Sequence, residues 1–226
     1  MCNEGRVRMV AKTSRDIRRE EIIAAAGDLF SRKGFHGTTV PDIARAVGIS
    51  TGLIYYSFTS KDDILLACCE KTAQIHLDLF KQGTDIINPL ERFDFIVREL
   101  YKDLDNGSKG ILITYRDSST LPREVRHRIL EMIKNLDNHF LALFQEGQRM
   151  GIFRSDIPEP RVLAANVLGI GHLWALQKTW HFLPVIDLET YTSVQLDYFH
   201  AQLLPEDKRS ERSDATHRTV DIDMFD

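Results

Sequence analysis

Apolar residues recur along this chain at spacings of three and four, and no alternating β-branched run bounded by Asn-Gly or Asp-Gly turns interrupts them. A chain patterned in this way can bury helical stripes and little else, so an all-α fold is expected. In the first strong segment Ile22, Ile23, Ala26, Leu29 and Phe30 form one stripe, while Arg18, Arg19, Glu20, Asp28 and Arg32 face outward. That helix is expected from about Arg15 to Lys33, stopped by Gly34.

Two short helices follow. Thr38 or Thr39 can cap the first, Pro41 is tolerated in its opening turn, and Ile43, Ala44 and Val47 supply its inner face. Gly48 makes the break, and Ser50 caps a second helix running to about Ser57. Thr59-Ser60-Lys61-Asp62-Asp63 starts a further helix to about Phe80, with its acids in the first turn. Longer helices are expected over Pro89–Leu104, Ser108–Ser118, Pro122–Met150, Glu159–His181 and Leu188–Leu203, with Leu121-Pro122, Gly151, Ile157-Pro158-Glu159-Pro160 and Leu183-Pro184 as punctuation. Abundant charge with almost no apolar residue before Val220 marks Pro205–Asp226 as a disordered tail.

The two short helices carry the functional signal. Joined through Gly48, they pack at a steep angle around Ile43, Val47, Ile49 and Ile54, with Ala44 allowing close approach. The second helix then exposes Thr51, Gly52, Tyr55 and Tyr56, a face suited to the DNA major groove. Hydroxyls of Thr38, Thr39, Ser50 and Tyr55 and the Lys61 ammonium suit phosphate. Base discrimination falls to Ser50, Thr51, Gly52 and Leu53, whereas Phe58 reads as core. Charge agrees: residues 1–61 carry ten Lys/Arg against six Asp/Glu, a basic front on a chain whose net charge is −4.

The run from Arg19 to about Leu66 resembles the N-terminal domain of TetR-type repressors. The resemblance lies in Ile22-Ile23-Ala24-Ala25-Ala26, Leu29-Phe30, Lys33-Gly34-Phe35, Thr38-Thr39-Val40, Asp42-Ile43-Ala44, Val47-Gly48-Ile49-Ser50, Gly52, Ile54-Tyr55-Tyr56, and Phe58 with Ser60-Lys61. It implies DNA contacts from Thr39, from Ser50, Thr51, Gly52, Tyr55 and Tyr56, and from Lys61 at the next helix's N-terminus. Two positions depart from the family pattern: Ser57 stands where His is frequent, and Pro41 where a polar or basic residue is common. The implied organisation is a flexible basic arm over 1–14 (Arg6, Arg8 and Lys12, with Arg15 following), a three-helix helix-turn-helix DNA-binding domain over 15–61, and a helical ligand-binding and dimerisation domain over 62–204. The tail is then 205–226.

For the second domain the resemblance implies an effector chamber and a homodimer interface. Val162–Leu176 is apolar around most of its circumference and must be covered on more than one face. The dimer candidates are Gly169, His172 and Ala175 there, with Tyr191, Val194, Gln195 and Tyr198 on the last helix. The chamber candidates are Phe95, Leu112, Tyr115, Leu136, Phe140, Phe144, Leu173 and Trp174, together with the polar Arg116, His139, Asn166 and Gln177, whose burial would be costly unless they are paired or used. Tyr115–Pro122 is similar to a stretch in TetR-type regulators of lipid metabolism that sense acyl-coenzyme A, which makes an acyl-CoA one candidate for a small hydrophobic effector.

The expected function is a ligand-responsive repressor released from a palindromic operator. A regulator of efflux or of an aromatic-compound pathway, sensing a drug-like ligand, and one governed by a protein partner are the alternatives. An enzyme is disfavoured, because no Ser-His-Asp motif, phosphate-cradling glycine loop, HExxH pair or dinucleotide fingerprint occurs. The scattered histidines and the cysteines Cys2, Cys68 and Cys69 have no metal-ligand spacing, so neither metal nor cofactor is expected. No apolar run reaches the roughly 18 residues a membrane helix needs, and a cytoplasmic location follows as the expectation.

Overall fold

A computed structural model describes residues 14–106 and 120–208, and all regular structure among them is helical. In chain order the helices are α1 (Ser14–Lys33), α2 (Val40–Val47), α3 (Thr51–Ser57), α4 (Lys61–Gln82), α5 (Pro89–Asp105), α6 (Arg123–Arg149), α7 (Pro160–Gln177) and α8 (Leu188–Leu203). The chain divides into two compact units, Met1–Lys71 with Lys109–Arg126, and Thr72–Ser108 with His127–Asp226. The division falls at Lys71, inside α4. The expected helix Ser108–Ser118, the arm before Ser14 and the tail beyond Lys208 lie outside the described residues.

In the first unit the caps decide where helices begin and end. Thr39 is the N-cap of α2: its hydroxyl accepts the Asp42 N–H while the Asp42 carboxylate accepts the Thr39 N–H, a closed capping box, with Pro41 in the first turn. Gly48 ends α2 at φ 77°, a left-handed value that a Cβ would strain, and its N–H returns to the Arg45 carbonyl. Ser50 caps α3 by accepting the Leu53 N–H at 3.3 Å. The stripes then meet in one core of Ile22, Ile23, Ala26, Phe30, Ile43, Ala44, Ile54, Phe58, Ile64 and Leu65. The first turns of α4 belong here because Cys68 is buried against α1, its Sγ on the Ile23 carbonyl at 3.4 Å. Burial pushes that thiol up to about 12, so it is chemically quiet.

In the second unit α7 and α8 both pack on α5. One aromatic string runs through Phe80, Phe140, Phe93 and Phe199, with ring centroids 4.9 to 6.0 Å apart. A second groups Trp174 with Phe182 and Tyr191, at 5.6 and 5.0 Å. Helix α7 does not continue to His181; Lys178–Phe182 winds wider, as a single π turn, before the Leu183-Pro184 break. Nor does structure stop at Pro205: Lys208 N–H bonds the Pro205 carbonyl and its ammonium the Gly151 carbonyl.

Gly147 is the tightest point of this unit. A Cβ there would lie 2.0 Å from the Phe153 ring, which folds back over α6 after the left-handed turn at Gly151. Gly147→Ala is therefore expected to cost roughly 1–3 kcal/mol of unfolding free energy in urea titrations. An unchanged midpoint would show that the Phe153 ring can move aside without loss.

Candidate functional site

The exposed part of α3 is built by burying Ile54 and leaving its neighbours out. Tyr55 and Tyr56 are 55% and 69% exposed and Leu53 40%, Gly52 is exposed and Thr51 half-buried. Both tyrosines thus face solvent, although two adjacent rings require only one to do so. Ser50 and Thr39 are exposed beside them, each with a hydroxyl already engaged in a cap. Hydrogen bonds from the Thr39 hydroxyl and backbone hold Asp42 below the usual carboxylate range, and Arg45 sits 3.1 Å from its other oxygen.

Two expected contacts lie deeper than the rest. Thr38 is fully buried and its hydroxyl donates to the Gly34 carbonyl at 2.8 Å, so it braces the α1–α2 loop and offers nothing to DNA. Lys61 is half-buried: its ammonium lies 4.3 Å above the Phe35 ring and donates to the carbonyls of Phe35 (2.8 Å) and Thr38 (2.9 Å). Those bonds tie it to the frame of the motif. Two arginines of α1, Arg15 from the basic arm and Arg19, complete the surroundings of α3. Arg15 lies over the Tyr56 ring at 5.0 Å and Arg19 over Phe58 at 4.9 Å. Their i, i+4 spacing on α1 was the available sequence signal.

In the second unit the candidate residues separate. Leu136, Phe140 and Phe144 are buried on α6, while Trp174 is buried elsewhere, its indole N–H donating to Asp105 at 2.9 Å. Phe95, Asn166 and Gln177 are half-buried; His139 is exposed, its Nδ1 on the Asn135 carbonyl and its ring against Phe80. Leu173, expected in the chamber, is 41% exposed and points away from the core, one helical step from Trp174. Leu112, Tyr115 and Arg116 lie outside the described residues. Among the dimer candidates Val194 and Tyr198 are exposed, Gly169 faces open space, and Ala175 and Gln195 are half-buried. His172 and Tyr191 are corrected: both are buried, Tyr191 donating to the Ile170 carbonyl at 2.8 Å. Burial, with the charge of His76 adding, pulls the His172 imidazole down to about 3.

The pattern of known bacterial regulatory proteins of the tetR family matches residues 22–68, the stretch that forms this motif. The transcriptional regulator HbdR of Aromatoleum sp. (strain CIB) is 30% identical over 175 residues, covering 77% of this chain and 75% of its own. This chain belongs to the TetR family. The repressor KstR2 of Rhodococcus jostii (strain RHA1) is 30% identical over 152 residues, 62% of this chain and 70% of that protein. Among solved structures, AibR in complex with isovaleryl coenzyme A and operator DNA superimposes with a TM-score of 0.66 at 23% identity, over 80% of this chain and 97% of AibR. The regulator FadR from Bacillus subtilis with stearoyl-CoA gives 0.67 at 21%, over 80% and 96%.

As a TetR-family member the chain is a DNA-binding transcriptional regulator and not an enzyme. No helix among its described residues is long and apolar enough to cross a membrane. Two placements give measurable consequences. Lys61→Met removes the ammonium from the Thr38 carbonyl and from the Phe35 carbonyl, which keeps the Thr38 N–H, and is expected to destabilise the first unit by roughly 1–3 kcal/mol, read as faster amide exchange across α1 and α2. A residue used for phosphate alone would leave that exchange unchanged. The His172 imidazole has its folded value depressed from the ordinary 6.5 to about 3, so the unfolded chain binds a proton that the folded one refuses. Stability is then present above 6.5 and lost as pH falls through this window, by up to roughly 1.4 kcal/mol per pH unit. His172→Leu should flatten that part of the stability profile relative to wild type; parallel profiles would refute the buried neutral imidazole.

Proposed function

We propose that this chain is a homodimeric repressor whose two α3 helices read successive major grooves of a palindromic operator and whose second unit binds a hydrophobic effector of the acyl-CoA class. The observation that carries the DNA reading is the α2–Gly48–α3 motif, capped at both N-termini and presenting Gly52, Leu53, Tyr55 and Tyr56 to solvent, with Thr51 half-buried beside them. Ser50 and Thr39 stand exposed at the two helix N-termini, where this reading places contacts to the DNA backbone. The dimer reading is supported by apolar residues that α7 and α8 leave outside the core: Val162, Leu173, Val194 and Tyr198 are each 41% exposed or more, and a Cβ added at Gly169 would meet open space. The effector class is supported by the isovaleryl and stearoyl thioesters named with two structural neighbours. It is supported too by the aromatic content of the second unit.

Effector and DNA are linked through a population shift. The ligand favours a state in which the spacing of the two recognition helices no longer matches the operator, and its differential affinity sets how far binding falls. Selection from a random duplex pool tests the DNA reading: wild type should enrich a palindrome whose binding weakens with salt. Thr51→Ala with Tyr55→Ala should bind it at least about tenfold more weakly. Enrichment of no sequence would sink the reading. Val194→Glu with Tyr198→Glu should sediment as a monomer and lose the palindrome; a stable dimer would move the interface elsewhere. Isovaleryl-, octanoyl- and stearoyl-CoA are the effector probes, and release of the selected duplex by none of them would remove the acyl-CoA class.

A further inference from the structure

We infer that Arg15 is a preset phosphate clamp for DNA, its guanidinium held in orientation by the ring of Tyr56 on the recognition helix. The inference rests on the DNA-binding reading of α3 and adds a residue from a different helix to it. Arg15 lies in the first turn of α1, with its guanidinium carbon 5.0 Å from the centroid of the Tyr56 ring. One turn on, Arg19 lies 4.9 Å from the ring of Phe58, the residue that ends α3. Two cations four residues apart on one helix face repel each other by a few tenths of a kcal/mol, roughly 0.2–0.5. Both nevertheless lie along α3, each over an aromatic ring.

The two rings differ in what they make of their arginine. Phe58 is buried, so Arg19 acts as a lid over a core side chain. Tyr56 is 69% exposed on the helix that enters the groove, so Arg15 stands at the edge of the surface that DNA would meet. A guanidinium over a ring uses its flat face for the contact and leaves its N–H donors directed outward in its own plane. That is the geometry of bidentate phosphate binding. Ordering a long side chain before binding also reduces the entropy cost that a free arginine would meet on the DNA. Arg15 therefore adds a backbone contact, which positions α3 without reading sequence, while Tyr56 serves partly as its support.

The test uses the full-length protein and the duplex that wild type selects, with a short random-sequence duplex as the phosphate-only probe. Arg15→Gln should lower the slope of log K against log salt by about 0.9 on both duplexes, equivalent to about eightfold weaker binding at 0.1 M salt. Arg15→Lys should retain the slope. In a Tyr56→Leu background Arg15→Gln should cost less than about threefold, because the ring that orients the guanidinium is already gone. Wild type that selects no duplex defeats the DNA reading itself. Wild type that selects one, with an unchanged salt slope in Arg15→Gln, defeats this inference alone. A lowered melting temperature with that unchanged slope would assign the Arg15–Tyr56 contact to stability. Equal costs of Arg15→Gln with and without the Tyr56 ring would leave Arg15 on phosphate but overturn its orientation by Tyr56.

Discussion

The Lys61 ammonium is the contact on which the geometry of the first unit depends. A chain leaving α1 at Gly34 and entering α2 at Val40 exposes carbonyls that no helix ladder satisfies, and buried carbonyls without donors are costly. Lys61 reaches from the start of α4 to two of them, at Phe35 and Thr38, and rests on the Phe35 ring while doing so. The Thr38 hydroxyl closes the same loop onto Gly34, and Phe35 packs on Phe30. Three helices are thereby fixed around one short loop. The direction of α2, and through Gly48 that of α3, follows from where this loop is pinned.

The second unit solves a different problem, that of polar groups within an apolar bundle. Tyr101 and Tyr191 donate to the carbonyls of Val167 and Ile170, each reaching α7 from another helix. Asp105 receives both the Trp174 indole and the Lys178 ammonium, while His76 meets Asp103 and His200 meets Asp94. Each pair joins different elements, and breaking any of them leaves a desolvated group behind. Such pairs specify register more than they add stability: a one-turn slip of α7 against α5 would separate the Tyr101 and Trp174 donors from their acceptors together. Gly171 adds a steric constraint at the same crossing, since a Cβ there would lie 2.6 Å from Tyr101 and from Leu104.

What the sequence made legible divides along the same physical line. Caps are local, so Gly48 and Ser50 are legible from residue type and spacing, and the first cap narrows to Thr38 or Thr39, of which the structure uses Thr39; the burial of Ile22, Ile43, Ile54 and Phe58 is legible in the same way. Which way a side chain faces on a helix apolar all round is not local. On α7, His172 is buried and its neighbour Leu173 is exposed, a difference that no polar stripe marks in the sequence. Thr38 and Lys61 show a second limit: a hydroxyl and an ammonium suit phosphate and suit a bare carbonyl equally, and only the fold decides between them. The wide turn at Lys178–Phe182 carries no distinctive residue type, so it read as a continuation of α7.

These constraints bear on how an effector could act on DNA binding. A recognition motif whose loop, caps and break are each held by specific bonds resists internal rearrangement, because any change within it exposes Phe35 and Thr38 carbonyls and opens a capping box. The less costly coordinate is displacement of the motif as a body, with α3 carried along unchanged. In a dimer on a palindrome such a displacement is enough, since half-sites lie one helical turn apart and tolerate little error in spacing. Arg15 enters the same argument. It is borne on α1 yet rests on a ring of α3, so a motif that moves as a body carries Arg15 and the exposed residues of α3 together.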